Sequence, residues 1–186
     1  MDFDQYDWLG EGDSMTWVPL LPNGLKGLQD CSFGSIAGRL FKDGEEPFSK
    51  GSPFQKQTEN VNPFLYAFQK EWAARADWCV KPYKECAYPP VVSVDETELF
   101  AYPGETVQLH GNCNPSDGKP IHIEWFVYKV GRRIDSAELL SYDKEECSVT
   151  VSSDAVPGEC LIICLACEME GFPSITRYAE TAVRII

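Results

Sequence analysis

Eight cysteines, at positions 31, 79, 86, 113, 147, 160, 164 and 167, carry the most reactive side chains of this sequence, and two of them form the pair Cys164-Leu165-Ala166-Cys167. That spacing tempts a metal or redox reading, and a redox pair would need the start of a helix. Here it lies in ECLIICLACEME, an apolar run that reads as a strand. Residues three apart on a strand point to opposite faces, so the two thiols cannot share a metal. Small buried thiols in a reduced core are the expectation, with a disulfide between strands left open. The acidic run Asp2, Asp4, Asp7, Glu11 and Asp13 has carboxylates enough for calcium. Its spacing fails, because Asp7 stands where a calcium loop needs Gly and no helix precedes it. It reads as a solvated acidic end. Asn112, Asn114 and Asp117 form another polar cluster, which folds its own loop through Asx bonds to the backbone or holds a weak calcium site. His110 and His122, the only histidines, lie on strands, and no G-x-S-x-G nucleophile motif is present. Structural or surface roles follow for both.

Glycan binding needs exposed aromatic rings, on which sugar C–H groups stack. Trp125 alternates inward with Ile121, Ile123 and Val127 and reads as core. Phe126 and Tyr128 alternate to the other face, with Tyr142 and Tyr178 as neighbours. That surface would bind carbohydrate or dock another part of the protein, docking being the preferred reading.

The elements that position these groups differ between the two halves. From residue 88 onward the pattern is β, with strands expected at 91–95, 105–110, 121–129, 137–141, 146–152, 159–169 and 175–186. Turn signals stand between them at Pro103-Gly104, Ser116-Asp117-Gly118, Val130-Gly131, Pro157-Gly158 and Gly171-Phe172-Pro173. Short strands at this spacing around one inward Trp predict an all-β immunoglobulin-like sandwich over residues 88–186. Ala179, Thr181, Val183 and Ile185 of the last strand are expected to face in. Residues 1–87 read as helical and irregular. Asn62-Pro63 starts a helix, Pro82 ends it, and Phe64, Phe68, Trp72, Ala76 and Cys79 recur as an apolar stripe, with Lys70, Glu71 and Arg75 largely elsewhere. A shorter helix over 14–21, capped by Asp13 or Ser14, stops at Pro22-Asn23-Gly24. Residues 25–60 read as one long excursion. Two helices and such an excursion enclose no core. Residues 1–87 are therefore expected to be the closing elements of a larger domain, or else a small appendage folded onto the sandwich. Ala87-Tyr88-Pro89-Pro90 is the expected joint.

Hydrophobic content of 44% with 12% aromatics supports a packed core. Net charge is −13, with 9 basic against 13 acidic side chains over residues 1–90 and 7 against 16 over 91–186. No basic stripe exists to follow a phosphate backbone, so neither nucleic acid nor an anionic membrane surface is an expected partner. No apolar run approaches the ~20 residues needed to span a bilayer. The first residues, MDFDQYDWLGEGD, lack the basic and apolar regions of a secretion signal. Either a cytosolic protein or the downstream part of something longer would begin so.

GEGDSMTWVPLLPNGL (10–25), AARADWCVKPYKECAYPPVV (73–92), PGETVQL and HIEWFVYK together resemble a bacterial and fungal family. Its members join a nucleoside-hydrolase-like α/β domain to a C-terminal immunoglobulin-like domain described as cellulose-binding. The block Asp77-Trp78-Cys79-Val80-Lys81-Pro82 with Pro89-Pro90 is the most specific part. Asn114-Pro115-Ser116-Asp117-Gly118 before His122-Ile123-Glu124-Trp125, and the closing Thr176-Arg177-Tyr178, also fit. The resemblance implies an α+β chain in which residues 1–87 close the hydrolase-like domain after its catalytic aspartates. Asp13 then resembles a late calcium ligand, with Glu11 behind it, in addition to its capping reading. Calcium belongs to the complete domain, and none is expected on this chain alone. Implied partners are a polysaccharide such as cellulose, or the N-terminal half that carries the catalytic aspartates. Full-length relatives would be secreted or held at the cell surface.

Overall fold

In a computed structural model, the residues described are 21–29, 65–130 and 137–186. Asp13, Glu11, the acidic run, the helix expected at 14–21, the Asn62-Pro63 cap, Phe64 and the Val130-Gly131 turn lie wholly or partly outside them. The β pattern closes as expected into two facing sheets. The strands are Val91–Val94 (β1), Glu98–Ala101 (β2), Thr106–Asn114 (β3), Ile121–Val130 (β4), Ala137–Asp143 (β5), Glu146–Val151 (β6), Cys160–Met169 (β7) and Thr176–Ile185 (β8). One sheet runs β1-β3-β6-β5 and the other β2-β8-β7-β4. All neighbours are antiparallel except β2, which lies parallel to β8 with Glu98 opposite Ala182. This strand was not expected. It has four residues, and its place is set by β8, about eighty positions away in sequence, rather than by local alternation.

Alternation along β3 turns Val107, Leu109, Gly111 and Cys113 inward. Leu161, Ile163, Leu165 and Cys167 of β7 and Val183 and Ile185 of β8 meet them, with Trp125 of β4 among them. The Trp125 indole is buried and its Nε1 donates to the Lys144 carbonyl at 2.9 Å, so its polar atom keeps a partner. Cys164 faces the other way, into a separate apolar cluster, so the C-x-x-C thiols stand on opposite faces of β7.

Nine of the ten β7 side chains, Cys160–Cys167 and Met169, are buried, inward and outward alike. A strand at the surface of a sandwich buries only one face. Here the outer face is covered by a helix, Leu65–Val80 (α1), and by residues 21–28. Residues 21–28 also close the edge of β8 where β2 does not reach. The Tyr178 amide donates to the Asn23 carbonyl at 2.9 Å, and the Lys26 amide to Glu180 Oε2 at 2.7 Å. Gly24 sits at φ +98, and a Cβ there would lie 1.7 Å from the Tyr178 carbonyl oxygen. Only glycine allows this approach.

The helix turns only part of its expected apolar stripe inward: Phe68 packs on the sheet, but the buried face is rotated from the stripe toward Glu71 and Ala74. Glu71 and Ala74 are buried, while Trp72 is 49% exposed and Ala76 and Cys79 are exposed. Arg177 on β8 pairs with Glu71 at this interface, which keeps the buried carboxylate compensated while Trp72, Ala76 and Cys79 lie outward.

Candidate functional site

The outer face of the β2-β8-β7-β4 sheet is the first place where candidate residues converge. Phe126 of β4, Ala166 and Cys164 of β7 and Tyr178 of β8 form an apolar floor, and Leu21, Leu25, Ala67 and Phe68 pack onto it. Beside this floor, Arg177 Nη1 donates to Glu71 Oε2 at 2.8 Å and Nη2 to Oε1 at 3.1 Å, a two-pronged bond between α1 and β8. Arg75 adds a second guanidinium to the same Glu71 carboxylate. Lys70 Nζ pairs with Glu168 Oε1 at 2.7 Å, and the Ser174 hydroxyl donates to the same oxygen. Glu71 is 4% exposed, so its charge is tolerable only with partners of this geometry.

The burial that seals this face also sets its acidities. Burial pushes the Tyr178 phenol well above its ordinary value, with the nearby Cys164 and Glu168 adding to the shift. The Cys164 thiol is raised by burial and by Glu180 and Glu124. Neither group is placed to act as a base at ordinary pH.

The four aromatic residues of the expected surface do not share one face. Phe126 and Tyr178 do, beneath α1 and residues 21–28, with Tyr178 only 5% exposed. Tyr128 follows on β4 opposite Ile162. Tyr142 lies on β5, in the other sheet. The ring faces of Tyr178 are taken up within the chain, which leaves them no room for a sugar.

Sequence reasoning missed a second group at the joint between α1 and β1. Arg75 lies 5.2 Å from the centroid of the Trp78 ring, Trp78 stacks on Tyr88 at 6.0 Å, and Tyr88 meets Tyr83 at 4.4 Å. Trp78 Nε1 donates to the Ala87 carbonyl and the Tyr88 hydroxyl to the Tyr83 carbonyl, so the joint is tied to the end of the helix. Tyr83 is 75% exposed. Next to the stack is a cleft of about 210 Å³, walled by Tyr88 and Phe172 and rimmed by Lys81, Glu85, Asp117 and Lys119. The recurrence of Trp78, Tyr83 and Tyr88 around Pro82 and Pro89 was the signal that could have found it.

Other candidates are brought elsewhere. His110 Nδ1 lies 3.1 Å from Asp95 Oδ2, and Asn112 donates to the other Asp95 oxygen, both at the surface. Asp117 accepts from the Lys119 amide at 3.1 Å, an Asx bond within its own loop. His122 is exposed. Among the described residues no three His, Cys, Asp or Glu side chains are grouped to hold a metal.

The described residues thus define a two-sheet β-sandwich with one helix packed on an outer face. Its backbone is similar to that of a nucleoside hydrolase-related hypothetical protein from Saccharophagus degradans that is associated with carbohydrate metabolism, with a TM-score of 0.75 and 19% identity. The likeness covers 96% of this chain and 48% of that one, so this chain spans about half the length of the structure it matches. Murine CRIg matches over 52% of this chain and 98% of its own, with 9% identity and a TM-score of 0.32. A chimeric titin Z1Z2 functionalised with a peptide from decorin matches 51% of this chain and 95% of its own, with 14% identity and a TM-score of 0.29. No family model and no curated protein matches the sequence.

Proposed function

We propose that this chain is the C-terminal part of a nucleoside-hydrolase-related, polysaccharide-associated protein. In this reading its immunoglobulin-like sandwich (88–186) is a docking module for the closing elements (1–87) of the hydrolase-like domain. The strand order supports the immunoglobulin-like assignment: β1-β3-β6-β5 faces β8-β7-β4, as strands A, B, E and D face G, F and C. The observation that carries the docking role is the sheet face on which Phe126 and Tyr178 receive Phe68, Leu21 and Leu25 while Arg177 grips Glu71. A module of this kind holds a neighbour in place and does no chemistry itself. The catalytic and metal-holding carboxylates would come from the other half of the hydrolase-like domain, within a longer chain or on a partner, with Asp13 contributing late to the calcium shell.

Native-state hydrogen exchange tests the docking role. The amides of α1 should open with the same free energy as those of β7 and β8, and Phe126→Ala should lower both together. Independent opening of α1, untouched by Phe126→Ala, would end this reading.

Carbohydrate binding is the second reading, and the joint favours it over the Phe126 and Tyr178 face. Tyr83, Tyr88 and Phe172 offer ring faces and edges, and the rim supplies ammonium and carboxylate groups for hydroxyls. The volume is below the ~300 Å³ of drug-sized pockets, which suits a ligand of about one sugar ring. Retention on insoluble cellulose should fall with Tyr83→Ala and Phe172→Ala. Equal retention of these variants and the parent, or none by the parent, removes this reading while leaving the docking role intact.

A further inference from the structure

We infer that the cleft at the joint selects a cationic ligand, a protonated amino sugar residue. The inference rests on the carbohydrate reading of this cleft and names the class of sugar it takes. The lining is partly apolar: Met169, the last residue of β7, is 2% exposed, and the rings of Tyr88 and Phe172 form walls. The rim is not balanced in charge. Lys81 Nζ holds Asp77 Oδ2 at 2.7 Å, and Lys119 Nζ holds Asp117 Oδ2 at 2.8 Å. Each ammonium group is thereby matched by an aspartate of its own. Two further carboxylates line the cleft, Glu85 and Glu170, and among the described residues neither forms an ion pair. Both stand on fixed backbone, one from the joint and one from the sandwich. Glu85 closes the short 3-10 turn Tyr83–Glu85, its amide donating to the Pro82 carbonyl at 2.9 Å. Glu170 follows β7, its amide donating to the Pro120 carbonyl at 3.0 Å.

Aromatic walls beside two uncompensated carboxylates suit a ligand with an apolar body and a positive charge. An ammonium group is attracted by carboxylates and by ring faces alike, since a ring is negative over its face. The neighbouring stack already holds one cation in this way, with Arg75 5.2 Å from the Trp78 ring centroid. A sugar acid would face Glu85 and Glu170 while both lysines are occupied by aspartates. A neutral sugar would leave the two carboxylates without a counter-charge. Protonated glucosamine answers both, and its hydroxyls can accept from the N–H groups that Lys81 and Lys119 keep to spare. The cleft of about 210 Å³ is in scale with one such ring. Binding makes and breaks no covalent bond.

The test is an NMR titration of the whole chain at neutral pH with three disaccharides that share one linkage and differ in a single substituent. They are cellobiose with a hydroxyl, the glucosamine disaccharide with an ammonium, and its N-acetylated form with a neutral amide. The glucosamine disaccharide should shift the amides of Met169, Glu170, Phe172 and Lys119, and bind about fivefold more tightly than the other two. The double variant Glu85→Gln, Glu170→Gln should bring it down to the level of cellobiose. Glu146→Gln, which removes an exposed carboxylate on β6, should change nothing. Cellobiose or the acetylated form binding as tightly at these residues would overturn the choice of cation and leave the carbohydrate reading standing. Binding of none of the three would remove both. An equal loss in Glu146→Gln, or shifts spread over the chain, would mean attraction to the net charge of −13 and overturn the inference. So would ethanolammonium that displaces the disaccharide at equal concentration, because no sugar would then be recognised.

Discussion

At the scale of single residues, Glu71 is the side chain on which the helix and sheet depend most. Its carboxylate is almost without solvent, and three nitrogens from Arg177 and Arg75 converge on it together with the Arg75 Nε. Arg177 is itself largely buried, so Glu71→Gln leaves a guanidinium in a low-dielectric interface without its counter-charge. The expected cost is about 3 kcal/mol in urea unfolding, against less than about 1 kcal/mol for Arg75→Ala, whose side chain is well exposed. A double-mutant cycle of Glu71→Gln with Arg177→Gln should return a coupling above about 1 kcal/mol. Additive effects would mean that the two side chains do not meet in solution. No sequence pattern announces this pair, because it joins positions more than one hundred residues apart.

Among the elements, β6, β7 and β8 share a buried acidity that ties stability to pH. Cys147 on β6 is pushed up to about 11 by burial, and burial also raises Cys164 on β7 and Tyr178 on β8 well above their ordinary values. In the unfolded chain the same groups ionise near their ordinary values. Above those values the unfolded state binds fewer protons than the folded one, so stability falls as pH rises. For Cys147 the contribution is intact below the ordinary 9.0 and gone above about 11. The urea midpoint should therefore hold from neutral pH to about 9 and drop steeply by about 11, and a flat profile across that window would contradict the burial of these three groups. The strands themselves were legible. Alternation located seven of the eight, and Trp125 was correctly turned inward. The face of α1 was not legible, because periodicity ranks Trp72 above Glu71 by hydropathy. A buried ion pair with β8 outranks hydropathy, and it exists only after the fold has formed.

Across the whole molecule, the proposed reading leaves the chemistry to residues outside this chain, and the Trp72 and Cys79 side of α1 is exposed. The chain alone, supplied with calcium and purine or pyrimidine nucleosides, should show neither tight calcium binding by calorimetry nor hydrolysis. Micromolar calcium binding that Asp13→Ala abolishes, or turnover by the purified chain, would refute the proposal that the chemistry lies outside this chain. By itself, the sequence determined the β-rich half, its inward Trp, the opposed faces of Cys164 and Cys167, and the excess of acidic over basic side chains. All of these follow from local alternation and charge counting. Tertiary structure alone decided that Phe126 and Tyr178 lie beneath α1 and that Trp78, Tyr88 and Tyr83 stack at the joint. Each of these joins residues whose neighbours are set by chain crossing and sheet packing, for which a linear pattern carries no signal.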